Sequence, residues 1–174
     1  MSSRSTAAPV ALRILSDPAY LCVVRAAAER FCLLSGFDAP VAQSIGLALD
    51  EALANVIKHG YSSRPNQPIH IDFQMRPAGE GPAGSARADG ASDELFICVR
   101  DYGQQVSASQ ISSRSLDDIR PGGLGVHIMR SVMDRVEYRK RGLTGMELIM
   151  TKRREQIFSL GIGDQGSALP PTPS

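Results

Sequence analysis

The run Asp50-Glu51-Ala52-Leu53-Ala54-Asn55-Val56-Ile57-Lys58-His59-Gly60 carries a core face and a polar face on one helix. On a wheel of 100° per residue, Ile45, Leu49, Ala52, Leu53, Val56 and Ile57 fill one broad arc. Ser44, Glu51, Asn55, Lys58 and His59 share the opposite arc. Upstream, Asp38-Ala39-Pro40 provides an N-cap with proline in the first turn, and Gly60 provides a stop. A helix is therefore expected from about residue 41 to His59. Glu51 and Asn55 stand at i and i+4, so their side chains are neighbours, with Asp50 at the edge of the same arc. A polar arc alone is what any solvated helix face shows. A carboxylate one turn from a carboxamide also suits phosphoryl transfer. The amide oxygen is a hard ligand for Mg²⁺, and the carboxylate can orient an attacking hydroxyl or take its proton.

The flanking segments frame this helix. Val10–Leu15 alternates like a strand. Asp17-Pro18 then opens a first helix, with Leu21, Val24, Ala28, Phe31 and Cys32 at helical spacing and Gly36 as its C-cap. Strands are expected at Ile69–Met75 and Leu95–Val99. A third helix follows the glycines at 122–125 and ends near Asp134. Arg135–Arg139 and Met146–Lys152 form a last strand pair around Gly142 and Gly145. The order β-α-α-β-β-α-β-β with hairpin-length links predicts an α+β fold. Its architecture is a two-layer sandwich, with a mostly antiparallel mixed sheet and three main helices on one face. The folded unit is expected over 10–152. Residues 1–9 read as a flexible N-terminus, 77–93 as a long flexible hairpin loop and 153–174 as a disordered C-terminal extension. Residues 104–121 are too long for a simple connection and read as a lid or binding loop.

Two glycine motifs bear on chemistry. Asp101-Tyr102-Gly103 follows directly on the strand at 95–99. Asp and Gly are common turn residues. A carboxylate at a strand end can also accept from an exocyclic amino group, with the glycine leaving room for a ring. Pro121-Gly122-Gly123-Leu124-Gly125 precedes Val126-His127-Ile128-Met129. Glycines at a helix start are poor for helix stability. They make sense if backbone N–H groups approach phosphates at the positive end of the helix dipole. The motif is neither a Walker A loop nor a Rossmann fingerprint. Gly142-Leu143-Thr144-Gly145 reads as a hairpin turn whose Thr144 hydroxyl is free to bond a ligand.

Composition narrows the function classes. The 174 residues carry 19 Lys plus Arg against 18 Asp plus Glu, a net charge of +1. That balance gives no basic footprint for nucleic acid and no pull toward an anionic membrane surface. Cys22, Cys32 and Cys98 form no C-x-x-C pair and no disulfide framework, and they have no zinc-ligand spacing with His59, His70 or His127. No signal-peptide or membrane-spanning run is read, so a cytoplasmic protein is expected.

Taken in order, these motifs resemble the GHKL, or Bergerat-fold, ATPase superfamily over roughly residues 10–152. Asp50–Gly60 looks like its N-box, Asp101-x-Gly103 like its G1 box and Gly123-x-Gly125 like its G2 box. Thr144 sits where the late Gly/Thr element lies. Within the superfamily, the run from Arg120 to Asp134, then Val136-Glu137-Tyr138, is similar to the bacterial anti-sigma-factor serine/threonine kinases. The resemblance implies ATP and Mg²⁺ as ligands. It makes Glu51 the general base for a protein Ser or Thr hydroxyl and Asn55 the Mg²⁺ ligand. Asp101 would accept from adenine N6, with Gly103 giving clearance and Thr144 supporting the same contact. Gly123 and Gly125 would face the phosphates, lined by Gly122, Leu124 and Val126. Residues 104–121 would be the ATP lid, with Arg120 the candidate for the γ-phosphate. His59 is a candidate phosphate contact and Lys58 a helix-end cation. The implied partners are a STAS-domain anti-anti-sigma protein, a sigma factor and a second copy of the chain. The competing reading is an ATP-binding interaction module of the same fold with weak or no phosphotransfer. A sensor histidine kinase would need a dimerisation helix pair bearing a phosphoacceptor histidine, which is not found here.

Overall fold

In the computed structural model, residues 9–77, 93–105 and 124–154 are described. The strands are β1 (Val10–Leu15), β2 (Pro68–Pro77), β3 (Asp93–Arg100), β4 (Arg135–Lys140) and β5 (Met146–Arg153). The helices are α1 (Leu21–Leu34), α2 (Ala39–Asn55) and α3 (Leu124–Val132). The strands form one sheet in the order β1-β2-β3-β5-β4. Every pairing among the described residues is antiparallel, so no parallel pair of a mixed sheet is seen there.

Register explains the single core. Leu12, Ile71, Val99, Leu148 and Tyr138 stand opposite one another across all five strands. Side chains alternate between faces along a strand, so this row and its neighbours two residues on share one side. Ile69, Ile71, Leu95, Ile97 and Met150 are fully buried on that side. They form one cluster with Val24 of α1, with Ile45, Leu49 and Leu53 of α2, and with Met129 of α3. The opposite face has no helix over it among the described residues. There a groove of about 330 Å³ runs past Phe96, Cys98 and Ile149, between Asp72, Arg100 and Glu147.

The helix starts follow the caps read from sequence. The Asp38 carboxylate accepts from Val41 N at 2.8 Å. The Asp17 carboxylate accepts from Ala19 N at 2.9 Å, but it caps a 3₁₀ turn, Pro18–Tyr20, that runs into α1. The strands β2 and β3 extend beyond their apolar runs because polar side chains pair across them. Arg76 Nε donates to Glu94 at 2.9 Å, and its guanidinium lies 3.9 Å over the Phe96 ring.

One element departs from expectation. The helix expected to reach His59 is α-helical only to Asn55, and Val56–Gly60 widens into a π-helical turn. Tyr61 N donates to Val56 O at 2.9 Å, the five-residue spacing of that turn. Its cause is tertiary. The Gly60 carbonyl accepts from Gln104 N at 2.8 Å, and the buried Tyr61 hydroxyl bonds to Pro68 O.

Candidate functional site

Three elements converge on the helical side of the sheet: the C-terminal half of α2, the chain following β3 and the start of α3. Glu51 and Asn55 project from α2 one turn apart and are half-buried. Neither has a hydrogen bond or ion pair to another described residue. The start of α3 lies against Glu51. A Cβ placed on Gly125 would overlap Glu51 Oε2 and lie 3.2 Å from its carboxyl carbon. Gly125 is thus the residue that lets the helix start and the carboxylate come together.

The second cluster is built on Asp101, which is 3% exposed. Its Oδ1 accepts from Gly103 N at 2.8 Å and from Met146 N at 3.3 Å. Both bonds fall on one oxygen, and Oδ2 has no partner among the described residues. Burial pushes the Asp101 carboxyl above its ordinary range, opposed by those two N–H groups and by Arg141. Oδ2 is thus a buried acceptor with no donor among the described residues. Gly103 makes the close packing possible, because a Cβ there would meet the Gly60 carbonyl oxygen and lie 2.5 Å from its carbon. Gly60 faces the same carboxylate, and a Cβ on it would come within 3.7 Å of both Asp101 oxygens.

Asp50, beside the base candidate, belongs to a different contact. Its Oδ2 accepts from Arg25 at 3.3 Å, and Arg25 also pairs with Glu29 at 2.8 Å. Burial pushes the Asp50 carboxyl up, against the pull of Arg25. This pair ties α1 to α2. Of the cysteines, burial pushes the thiols of Cys32 and Cys98 up to about 12, so both behave as buried apolar groups.

The remaining candidates divide plainly. Val126 is half-buried on α3 and packs on the core, and Leu124 is the first residue of that helix. Lys58 and His59 are exposed on the π turn. Thr144 is exposed on the β4–β5 turn, and the described contact from that hairpin to the Asp101 carboxylate comes from Met146 N. Arg120, Gly122 and Gly123 lie outside the described residues, as do 106–121 of the expected lid and 78–92 of the expected loop. Sequence reasoning missed Tyr61 and Arg141. Tyr61 Oη accepts from Tyr102 N at 2.8 Å, and Arg141 Nη1 donates to Asp101 O at 3.1 Å. The tyrosine directly after the helix-ending glycine was the available signal for the first. Nothing local marks the second.

The arrangement offers a buried acceptor for a base-sized donor, a helix start for anions and, beside it, a carboxylate–carboxamide couple unpaired among the described residues. That is the layout of a nucleotide-binding domain of the two-layer α+β ATPase type. The comparisons with known proteins make it specific: residues 14–152 match the histidine kinase-like ATPase domain family, and the chain belongs to it. The Bacillus subtilis serine-protein kinase RsbW is 23% identical over 151 residues, covering 82% of this chain and 84% of that protein. The Bordetella bronchiseptica serine/threonine-protein kinase BtrW is 28% identical over 117 residues, covering 65% and 72%. Among solved structures, the RsbU and RsbW domains of Rv1364c from Mycobacterium tuberculosis superpose with a TM-score of 0.55 at 18% identity. That match covers 84% of this chain and 32% of the solved one, and it supports the fold. No helix among the described residues is long and apolar enough to cross a membrane.

Proposed function

We propose that this chain is an ATP-dependent serine/threonine protein kinase that acts as an anti-sigma factor in the cytoplasm. It phosphorylates a Ser or Thr of a STAS-domain anti-anti-sigma protein and sequesters a sigma factor, working as a homodimer. The observation that carries the reading is the placement of Glu51 against the Gly125 helix start, with Asn55 one turn along α2 and neither side chain paired among the described residues. The similarity to proteins named serine-protein kinases supports the acceptor class.

The fit of ATP rests first on Asp101 Oδ2, which has no partner among the described residues. Asp101 Oδ2 takes the adenine N6–H, and Gly103 lets the chain beside it pack against the Gly60 backbone and so leaves clearance for the base. The N–H groups at the start of α3, with Gly123 and Gly125, meet the phosphates. Residues 104–121 close as the lid of a unit spanning 10–152, with Arg120 on the γ-phosphate and His59 beside the phosphates. Thr144 reinforces the base contact. Asn55 Oδ1 suits Mg²⁺, which takes few protein ligands and fills its shell with phosphate and water. The ion neutralises phosphate charge when bound.

Glu51 then acts on the acceptor. Its carboxylate orients the Ser or Thr hydroxyl in line with the γ-phosphorus and takes the hydroxyl proton as the new O–P bond forms. ADP leaves with the old one. Transfer of labelled phosphate from Mg·ATP to a STAS-domain protein of the same organism tests the reading. Nucleotide binding without transfer to that protein favours the second reading, an ATP-dependent interaction module.

A further inference from the structure

Arg141 lies on the turn between β4 and β5, outside every nucleotide motif of the sequence, yet it reaches the chain that follows β3. Its Nη1 donates to the Asp101 carbonyl at 3.1 Å, and its guanidinium lies 4.7 Å over the Tyr102 ring. The turn that carries it is itself pinned. Gln105 Nε2 donates to Gly142 O at 3.0 Å, and Gly145 N donates to Gly103 O at 2.8 Å. On the other side, Tyr61 Oη holds Tyr102 N. Residues 101–103 are thus gripped from two elements, and only one grip carries charge.

We propose that Arg141 is the positioning residue for the nucleotide base: through the Asp101 carbonyl and the Tyr102 ring it fixes the stretch of chain whose Asp101 carboxylate receives the adenine amino group. The inference rests on the adenine role given to Asp101 above. Arg141 touches neither nucleotide nor acceptor and acts through Asp101.

The electrostatics give the role a signature. Among the described residues, the titratable groups acting on the Asp101 carboxylate are Arg141 from the β4–β5 turn and Tyr61 from the end of the π turn. The chain after β3 and the start of β5 contribute backbone N–H groups. Burial keeps Tyr61 neutral through the physiological range by raising its pKa. Arg141 is therefore the one cation among the described residues opposing the upward push of burial on Asp101. An adenine N–H on Oδ2 binds the ionised form best. ATP affinity then falls as pH drops through the Asp101 titration, and without Arg141 the fall begins at higher pH.

The test is the ratio of Mg·ATP dissociation constants, Arg141→Gln over wild type, from pH 5.5 to pH 8. Taking the ratio cancels the titration of the phosphates. The ratio is expected to be about twofold at pH 8 and to grow steadily as pH falls. Arg141→Lys, which keeps the charge, is expected to stay within about twofold of wild type throughout. Thermal unfolding of both variants identifies any loss of fold. A ratio flat with pH, or a lysine variant that behaves like the glutamine one, would overturn the proposal and leave Arg141 a structural residue. Asp101→Asn separates the two readings. If it leaves ATP affinity intact, the adenine assignment fails. If it abolishes binding while the Arg141→Gln ratio stays flat, only the Arg141 role fails.

Discussion

Replacing Gly125 with alanine separates folding from chemistry at one atom. Gly125 is buried at the second position of α3. The added Cβ overlaps Glu51 Oε2 and sits 3.2 Å from its Cδ and 3.5 Å from its Cβ. Nothing among the described residues bonds the Glu51 carboxylate, so the side chain swings aside and the helix stays. Alanine is favoured over glycine in a helix by up to about 1 kcal/mol. A carboxylate forced off its rotamer costs about 0.5–1.5 kcal/mol. The two nearly offset, so urea unfolding is expected to show stability within about 1 kcal/mol of wild type. Transfer is another matter. Moving a catalytic group by about 1 Å costs on the order of 10²-fold in rate. The assay is single-turnover transfer of labelled phosphate at saturating ATP, run beside the unfolding measurement. A folded Gly125→Ala protein that transfers phosphate at the wild-type rate refutes the placement of Glu51 as the group that meets the acceptor.

Three further outcomes follow from the Asp101 cluster. Asp101→Asn keeps an acceptor for Gly103 N and Met146 N but loses the charge, so calorimetry is expected to show ATP affinity reduced about 10- to 100-fold. Its stability moves the other way. Burial raises the Asp101 pKa in the folded state, so the native protein holds that proton more tightly than the unfolded chain. The ionised group therefore costs stability above its folded pKa, and that cost fades as pH falls through it. At pH 7 the unliganded Asp101→Asn protein is expected to melt at or above the wild-type temperature. A lower melting temperature contradicts the burial argument. Gly103→Ala, by contrast, sets a Cβ into the Gly60 backbone, which cannot turn aside as a side chain does. A loss of about 1–3 kcal/mol in urea unfolding is expected, and an unchanged midpoint contradicts the packing described.

Local rules made the frame readable, and long-range contacts hid the rest. Asp38 caps α2 as its position before Ala39-Pro40 suggests, because an N-cap depends only on the next few residues. Ile69, Ile71 and Phe73 are buried as their alternation requires. The ends of β2 and β3 escaped notice because Arg76 and Glu94 stabilise each other only once the strands are paired. The π turn at Val56–Gly60 was invisible for the same reason. Gln104 and Pro68, which draw Gly60 and Tyr61 out of the α path, come later in the chain. In the candidate site, the i, i+4 spacing makes Glu51 and Asn55 neighbours by helix geometry alone. Arg141 shares no local pattern with Asp101. They meet because β5 pairs with both β3 and β4.

The central claim is that the Glu51 carboxylate acts on a protein hydroxyl while the nucleotide is held elsewhere. Glu51→Gln keeps size and hydrogen bonding and removes the base. Measured together, Mg·ATP affinity is expected to stay within about twofold, while phosphate transfer to the STAS-domain protein falls about 10²- to 10⁴-fold. Transfer at the wild-type rate, with ATP bound, would contradict the account.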